Sequence, residues 1–112
     1  MAAGTYDIVI DQGSDFSTQV TVEQNDSAVA LSNHSVRGQL RPTPTSTSLT
    51  ATFTCTITDP SNGVFKFELS NSTTAAIDAG KYYYDIELVN TSTSIVTRLL
   101  QGVARVTPEV TR

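Results

Sequence analysis

The sequence predicts an all-β fold, an antiparallel β-sandwich of about seven strands with one short helical turn. Three observations predict it. Apolar and polar residues alternate with period two in almost every segment, which is the pattern of strands with one buried face. Clusters of Asn, Asp, Gly, Pro and Ser interrupt the alternation at short intervals, where such residues bond to the local backbone or take positive φ. Residues 70–77 alone suit a helix, and they suit a single turn, so sheet must pack on sheet.

Each element follows from its residues. Tyr6, Ile8 and Ile10 alternate with Asp7, Val9 and Asp11, and Gly13-Ser14 breaks this first strand. Phe16, Thr18, Val20 and Val22 form the inner face of the second. Gln24-Asn25-Asp26-Ser27 is a turn, the apolar patch Val29-Ala30-Leu31 follows, and Ser32-Asn33-His34 turns again. The third strand sets Val36, Gly38 and Leu40 against Arg37, Gln39 and Arg41, and Pro42 and Pro44 stop it. Residues 43–50 are rich in Ser and Thr and read as a long exposed loop. Phe53, Cys55 and Ile57 then face inward. Asp59-Pro60-Ser61-Asn62-Gly63 turns the chain into Phe65, Phe67 and Leu69, making a hairpin. Ser72 or Asn71 is the expected cap of the helical turn, with Gly80 ending it. Tyr82, Tyr84, Ile86 and Leu88 point to the core, and Asn90-Thr91-Ser92 makes the last hairpin turn. The final strand, residues 95–106, changes phase, which a β-bulge near Gln101-Gly102 would reconcile.

The segment Asp78-Ala79-Gly80-Lys81-Tyr82-Tyr83-Tyr84 narrows the type of sandwich. It has the spacing of a tyrosine corner at the entry to the sixth strand of an immunoglobulin-like sandwich, where a Tyr stands two residues before the second Cys of antibody domains. Here Tyr82 is the corner residue and Tyr84 fills the cysteine position. Asp78, Gly80, Tyr82 and Tyr84 are therefore the fold-defining residues, and the fold is an immunoglobulin-like sandwich without its disulfide.

Bulk properties bound the function. The 112 residues suffice for one two-layer core and not for two, so 1–112 is one domain, with 107–112 as a C-terminal tail expected to leave the sheet. No apolar run is long enough to span a bilayer, and the first residues lack the features of a secretory signal; no membrane partner is expected. The net charge of −4 and the scattering of the seven basic residues along the chain argue against nucleic acid. Cys55 is the single cysteine, which excludes an intramolecular disulfide and a cysteine-cluster zinc site.

Motifs that would carry chemistry are weak. His34 is the lone histidine, and no nucleophile elbow accompanies it. Asp11-Gln12-Gly13-Ser14-Asp15 has two carboxylates around a glycine but lacks the distal Glu of a calcium loop; a turn capped by its own Asp side chains is the simpler reading. Four Asn-x-Ser/Thr sequons, at Asn25, Asn33, Asn71 and Asn90, fall in turn-rich segments. Tyr82 and Tyr83 lie on opposite faces, which leaves at most one for sugar stacking. No catalytic residue, metal or cofactor is expected.

Several stretches together resemble a known group. Asp11-Gln12-Gly13-Ser14-Asp15-Phe16, Val36-Arg37-Gly38-Gln39-Leu40-Arg41, Asn62-Gly63-Val64-Phe65, Gly80-Lys81-Tyr82-Tyr83-Tyr84-Asp85 and the ending from Arg98 through Pro108-Glu109-Val110-Thr111-Arg112 look like the small immunoglobulin-like virion proteins of tailed bacteriophages. Their order is similar to the N-terminal domain of phage baseplate upper proteins. The resemblance implies a non-enzymatic structural protein of the virion, assembled in the bacterial host, present in many copies and docking on tail or baseplate proteins. Capsid decoration, with the major capsid protein as partner, is the alternative it leaves open; a carbohydrate-binding adhesion module is a more distant one. The candidate interaction residues are Arg98, Arg105 and Arg112, each able to meet an acid on a neighbour, and Pro44 in the long loop.

Overall fold

The computed structural model describes residues 4–111. Its strand segments are β1 (Gly4–Thr5), β2 (Ile8–Asp11), β3 (Phe16–Thr21), β4 (Glu23–Gln24), β5 (Ser27–Ala28), β6 (His34–Arg41), β7 (Ala51–Thr52), β8 (Thr54–Asp59), β9 (Val64–Leu69), β10 (Gly80–Asn90) and β11 (Val96–Thr107). Seven of these have four residues or more, and they carry the two layers. One layer is a six-stranded sheet in the order β1-β11-β10-β6-β7, with β2 also paired to β11. The other is the three-stranded sheet β3-β9-β8. β4 and β5 form a small separate hairpin where the sequence suggested a turn.

This strand order is that of an immunoglobulin-like sandwich. Its first strands pair in parallel with the last, β1 through Gly4–Leu100 and β2 through Ile8–Ala104. The predicted alternation holds throughout the long strands: Ile8, Ile10, Leu40, Tyr84, Ile86, Leu88, Ala104 and Val106 of the first sheet are buried, facing Phe65, Phe67 and Leu69 of the second. An aromatic cluster joins the layers. Tyr84 lies 6.0 Å from both Phe67, stacked, and Phe53, edge-on, while Phe53 and Phe67 meet edge to face at 5.2 Å. Offset and edge-to-face pairs of this kind add to the gain from burial alone. Tyr84 thus links the sheets by packing, at the position where antibody domains use a disulfide.

The tyrosine corner is formed. The Tyr82 hydroxyl donates to the Asp78 carbonyl at 2.7 Å, which ties the entry of β10 to the loop before it. The Pro60–Asn62 turn is a 3₁₀ turn closed by Gly63 at φ 70°. A side chain on Gly63 would also stand 2.5 Å from the Val29 carbonyl.

Four expectations are corrected. The helix α1 (Asn71–Ala75) is capped by Ser70, whose side chain accepts the Thr73 amide, and not by Ser72 or Asn71. It stops at Ala76, before buried Ile77 turns the chain inward; Gly80 opens β10 instead of ending the helix. The bulge in β11 falls at Leu99: Ile86 pairs with Leu100 and Glu87 with Arg98, so the phase slips before Gln101-Gly102. Thr107 is still paired within β11, and the chain leaves the sheet only at Pro108, which has no amide to donate. Arg112 lies outside the described residues.

Candidate functional site

The outward positions of β6, β10 and β11 assemble one polar face. Strand register places them in rows. Glu87 lies between Arg37 and Arg98, Asp85 between Gln39 and Gln101, Tyr83 between Arg41 and Val103, and Lys81 opposite Arg105. Two ion pairs cross the strands: Arg37 Nε to Glu87 Oε1 at 2.8 Å and Arg98 Nε to Asp85 Oδ2 at 3.4 Å. Arg98 also donates to the Gln101 side chain at 3.1 Å, and Arg41 to the Gln39 side chain at 2.9 Å. Lys81 Nζ sits 5.4 Å from the centre of the Tyr83 ring, within cation–π range.

Five of the seven basic residues of the chain project from this face, with two acids among them. The face is therefore cationic on a protein whose net charge is −4. The charges are graded along it. Arg37 and Arg98 are offset by Glu87 and Asp85, whereas Arg41, Lys81 and Arg105 cluster at the other end and enter none of the ion pairs formed among the described residues.

An open groove of about 550 Å³ runs across the centre, with Tyr83, Asp85 and Arg98 on its floor, Pro44 on one rim and Thr5 and Asp7 on the other. Burial, followed by the neighbouring Glu87 carboxylate, raises the Asp85 carboxyl above its ordinary range, and the arginines pull against that rise. Asp7 is partly engaged, because its Oδ1 accepts the Val103 amide at 3.0 Å.

Of the predicted interaction residues, the fold brings Arg98 and Pro44 to the same groove. Arg105 belongs to the same face, one row beyond Tyr83. Arg98 is half engaged within the chain by Asp85, which the sequence reading did not foresee. Missed altogether were Arg37, Arg41, Lys81, Tyr83, Asp85 and Glu87. Their signal was present as the polar half of each alternation, but their grouping depends on β6, β10 and β11 being neighbours. The scatter of basic residues along the chain is thereby overturned in space.

The other weak motifs resolve into structure. Asp15 accepts the backbone and side-chain amides of Asn71 at 2.8 and 3.0 Å, and Asp11 accepts the Thr107 hydroxyl at 2.8 Å. Gln12 donates to the Ile77 carbonyl at 2.8 Å and accepts the Glu109 amide at 3.0 Å. The Asp11–Asp15 stretch is thus a clasp between β2, α1 and the tail. Among the described residues no group of His, Cys, Asp and Glu has the arrangement of a metal site. His34 begins β6, with Nδ1 2.8 Å from the Ser32 carbonyl. Cys55 is half-buried, and burial pushes its thiol up to about 11, which keeps it protonated and unreactive near neutrality. Among the described residues no helix is long and apolar enough to cross a membrane.

No protein-family model and no curated protein matches the chain. Among solved structures, it is similar to the NK cell receptor Nkp44, described as a triggering partner in natural cytotoxicity, at 12% identity and a TM-score of 0.49, over 96% of this chain and 100% of that one. It is also similar to a family 123 glycoside hydrolase from Clostridium perfringens, at 13% identity and a TM-score of 0.43, over 97% of this chain and 24% of that one. These are likenesses of architecture, and neither bears on a site or an activity.

Proposed function

We propose that this chain is a non-enzymatic interaction module of a tailed-phage particle, docking on a tail or baseplate protein through the outer face of its six-stranded sheet. The phage setting comes from the sequence resemblance. The interaction role is carried by one observation, the concentration of five of the seven basic residues around an open groove on an otherwise acidic protein. Such a face selects a partner of opposite charge and speeds encounter more than it adds affinity. Many copies held by particle symmetry would gather weak contacts into firm attachment. The partner is an acidic protein surface, with neither nucleic acid nor membrane involved.

The test is to purify particles made by the host that encodes the chain and to locate it by electron microscopy. The expected result is repeated density on the tail or baseplate, lost when Arg41→Glu/Arg105→Glu replaces the native chain. Density on the head would substitute the capsid-decoration reading, and absence from purified particles would overturn the proposal.

A further inference from the structure

Among the described residues, the sandwich has one strand edge that nothing guards. Exposed edges offer unpaired amides and carbonyls to any passing strand, and proteins blunt them with charge, proline, bulges or brevity. Three edges here follow that rule. On the β1–β2 side, β1 is two residues long and the chain breaks before β2, where Asp7 captures the Val103 amide. β7, at the opposite edge of that sheet, is also two residues long. β8 has a register shift between Ile57 and Asp59, ends in a carboxylate, and begins beside Phe53, whose amide bonds back to Gly38 at 2.9 Å.

β3 has none of these devices. Its six residues, Phe16–Thr21, include no charge, proline or glycine, and it pairs with β9 in unbroken register. The first strands of the chain pair with β11, so β3 has no neighbour on its outer side among the described residues. Phe16 and Val20 lie along it only half-buried although they pack on the core.

We infer that β3 is a self-association edge, on which β3 of a second copy of this chain pairs antiparallel to join the two three-stranded sheets into one. The sequence is self-complementary for that arrangement. A two-fold axis at Thr18 sets Phe16 opposite Val20 of the second copy on the inner side, a favourable aromatic–β-branched pair. On that same inner side Thr18 meets itself, and outside Ser17 meets Gln19. No like charges are brought together anywhere along the six residues. An axis at Gln19 would instead set Phe16 against Val22, which is already buried in its own core. The dyad also preserves inside and outside, because antiparallel partners directly opposite each other project to the same face. The inference is independent of the particle reading, since it uses neither the basic face nor the sequence resemblance.

Ser17 and Gln19 are exposed, so they can be changed without disturbing the core. Sedimentation of the wild-type chain is expected to show a concentration-dependent dimer. Ser17→Lys/Gln19→Lys and Ser17→Glu/Gln19→Glu should each weaken it about tenfold or more through like charges placed opposite one another. An equimolar mixture of the two variants should recover a mixed dimer, while circular dichroism shows each variant folded. A wild-type chain that stays monomeric up to about 1 mM, the affinity of the weakest specific contacts, overturns the inference. So does a Lys variant that dimerises as tightly as wild type. Amides of β3 that gain exchange protection only when another particle protein is added would assign the edge to that protein and overturn self-pairing equally.

Discussion

Tyr82 keeps the tyrosine corner of immunoglobulin-like domains, and Tyr84 stands where antibody domains place a cysteine of their inter-sheet disulfide. Tyr82 acts locally, fixing the loop before β10 through the Asp78 carbonyl. Tyr84 acts between layers, through Phe53 and Phe67, and its hydroxyl donates to the Tyr6 carbonyl. Tyr82→Phe removes one hydrogen bond and keeps the ring, so unfolding in urea should show a loss of about 1 kcal/mol. Asp85 supplies the pH-sensitive residue. Its folded pKa is raised above the ordinary 3.8, so the fold favours its protonated form. The stability this contributes is fully present below the ordinary value and is lost as pH rises through the raised one. NMR titration of the side-chain carboxyl should show Glu87→Gln lowering the Asp85 midpoint and Arg98→Gln raising it, since each removes one opposing neighbour. The corner role of Tyr82 was legible in the sequence, because a tyrosine corner is a local spacing. For Tyr84 the alternation told only that it faces the core, and its partners Phe53, Phe67 and Tyr6 come from distant segments. The Asp85 environment was not, because Gln39, Gln101, Arg37 and Arg98 reach it only across strands.

The strands show how much a local pattern conveys and where it stops. The phase change in β11 was visible in the sequence as apolar residues at both Leu99 and Leu100. Its location was not, because a bulge is a property of two paired strands, and the slip occurs where β10 passes from Ile86 to Glu87. Beyond the bulge, Gly102 lets the N-terminal segment approach: a Cβ there would stand 2.3 Å from the Tyr6 carbonyl oxygen. Gly102→Ala should therefore cost about 1–3 kcal/mol by overpacking. Hydrogen exchange should localise the loss, with faster exchange at the Tyr6 amide, which bonds to Gln101, and at the Val103 amide, which bonds to Asp7. The helix cap is a similar case. Ser70, Asn71 and Ser72 all have capping side chains, and the choice fell to Ser70 because Asp15 engages Asn71 and buried Thr74 bonds to Ser14.

At the scale of the molecule, the aromatic cluster and the cationic face lie on opposite sides of the same sheet. Phe67 is fully buried and touches Phe16, Phe53, Phe65 and Tyr84. Phe67→Ala should cost about 3–5 kcal/mol, a large share of the roughly 5–15 kcal/mol that holds a domain of ordinary stability. Guanidinium unfolding is expected to remain one transition with a sharply lowered midpoint, since the cluster spans both layers. The sequence by itself determined the all-β class, the inner face of each long strand, the Pro60–Gly63 turn and the tyrosine corner. These depend on period-two alternation and on turn chemistry, which act within a few residues. The tertiary structure alone decided which outer faces became neighbours, and therefore that Arg37, Arg41, Lys81, Arg98 and Arg105 form one surface. It also decided that β1 and β2 pair with β11 and leave β3 open. Strand order is set by packing among residues far apart in the chain, and alternation along a single strand carries no record of which strand lies beside it.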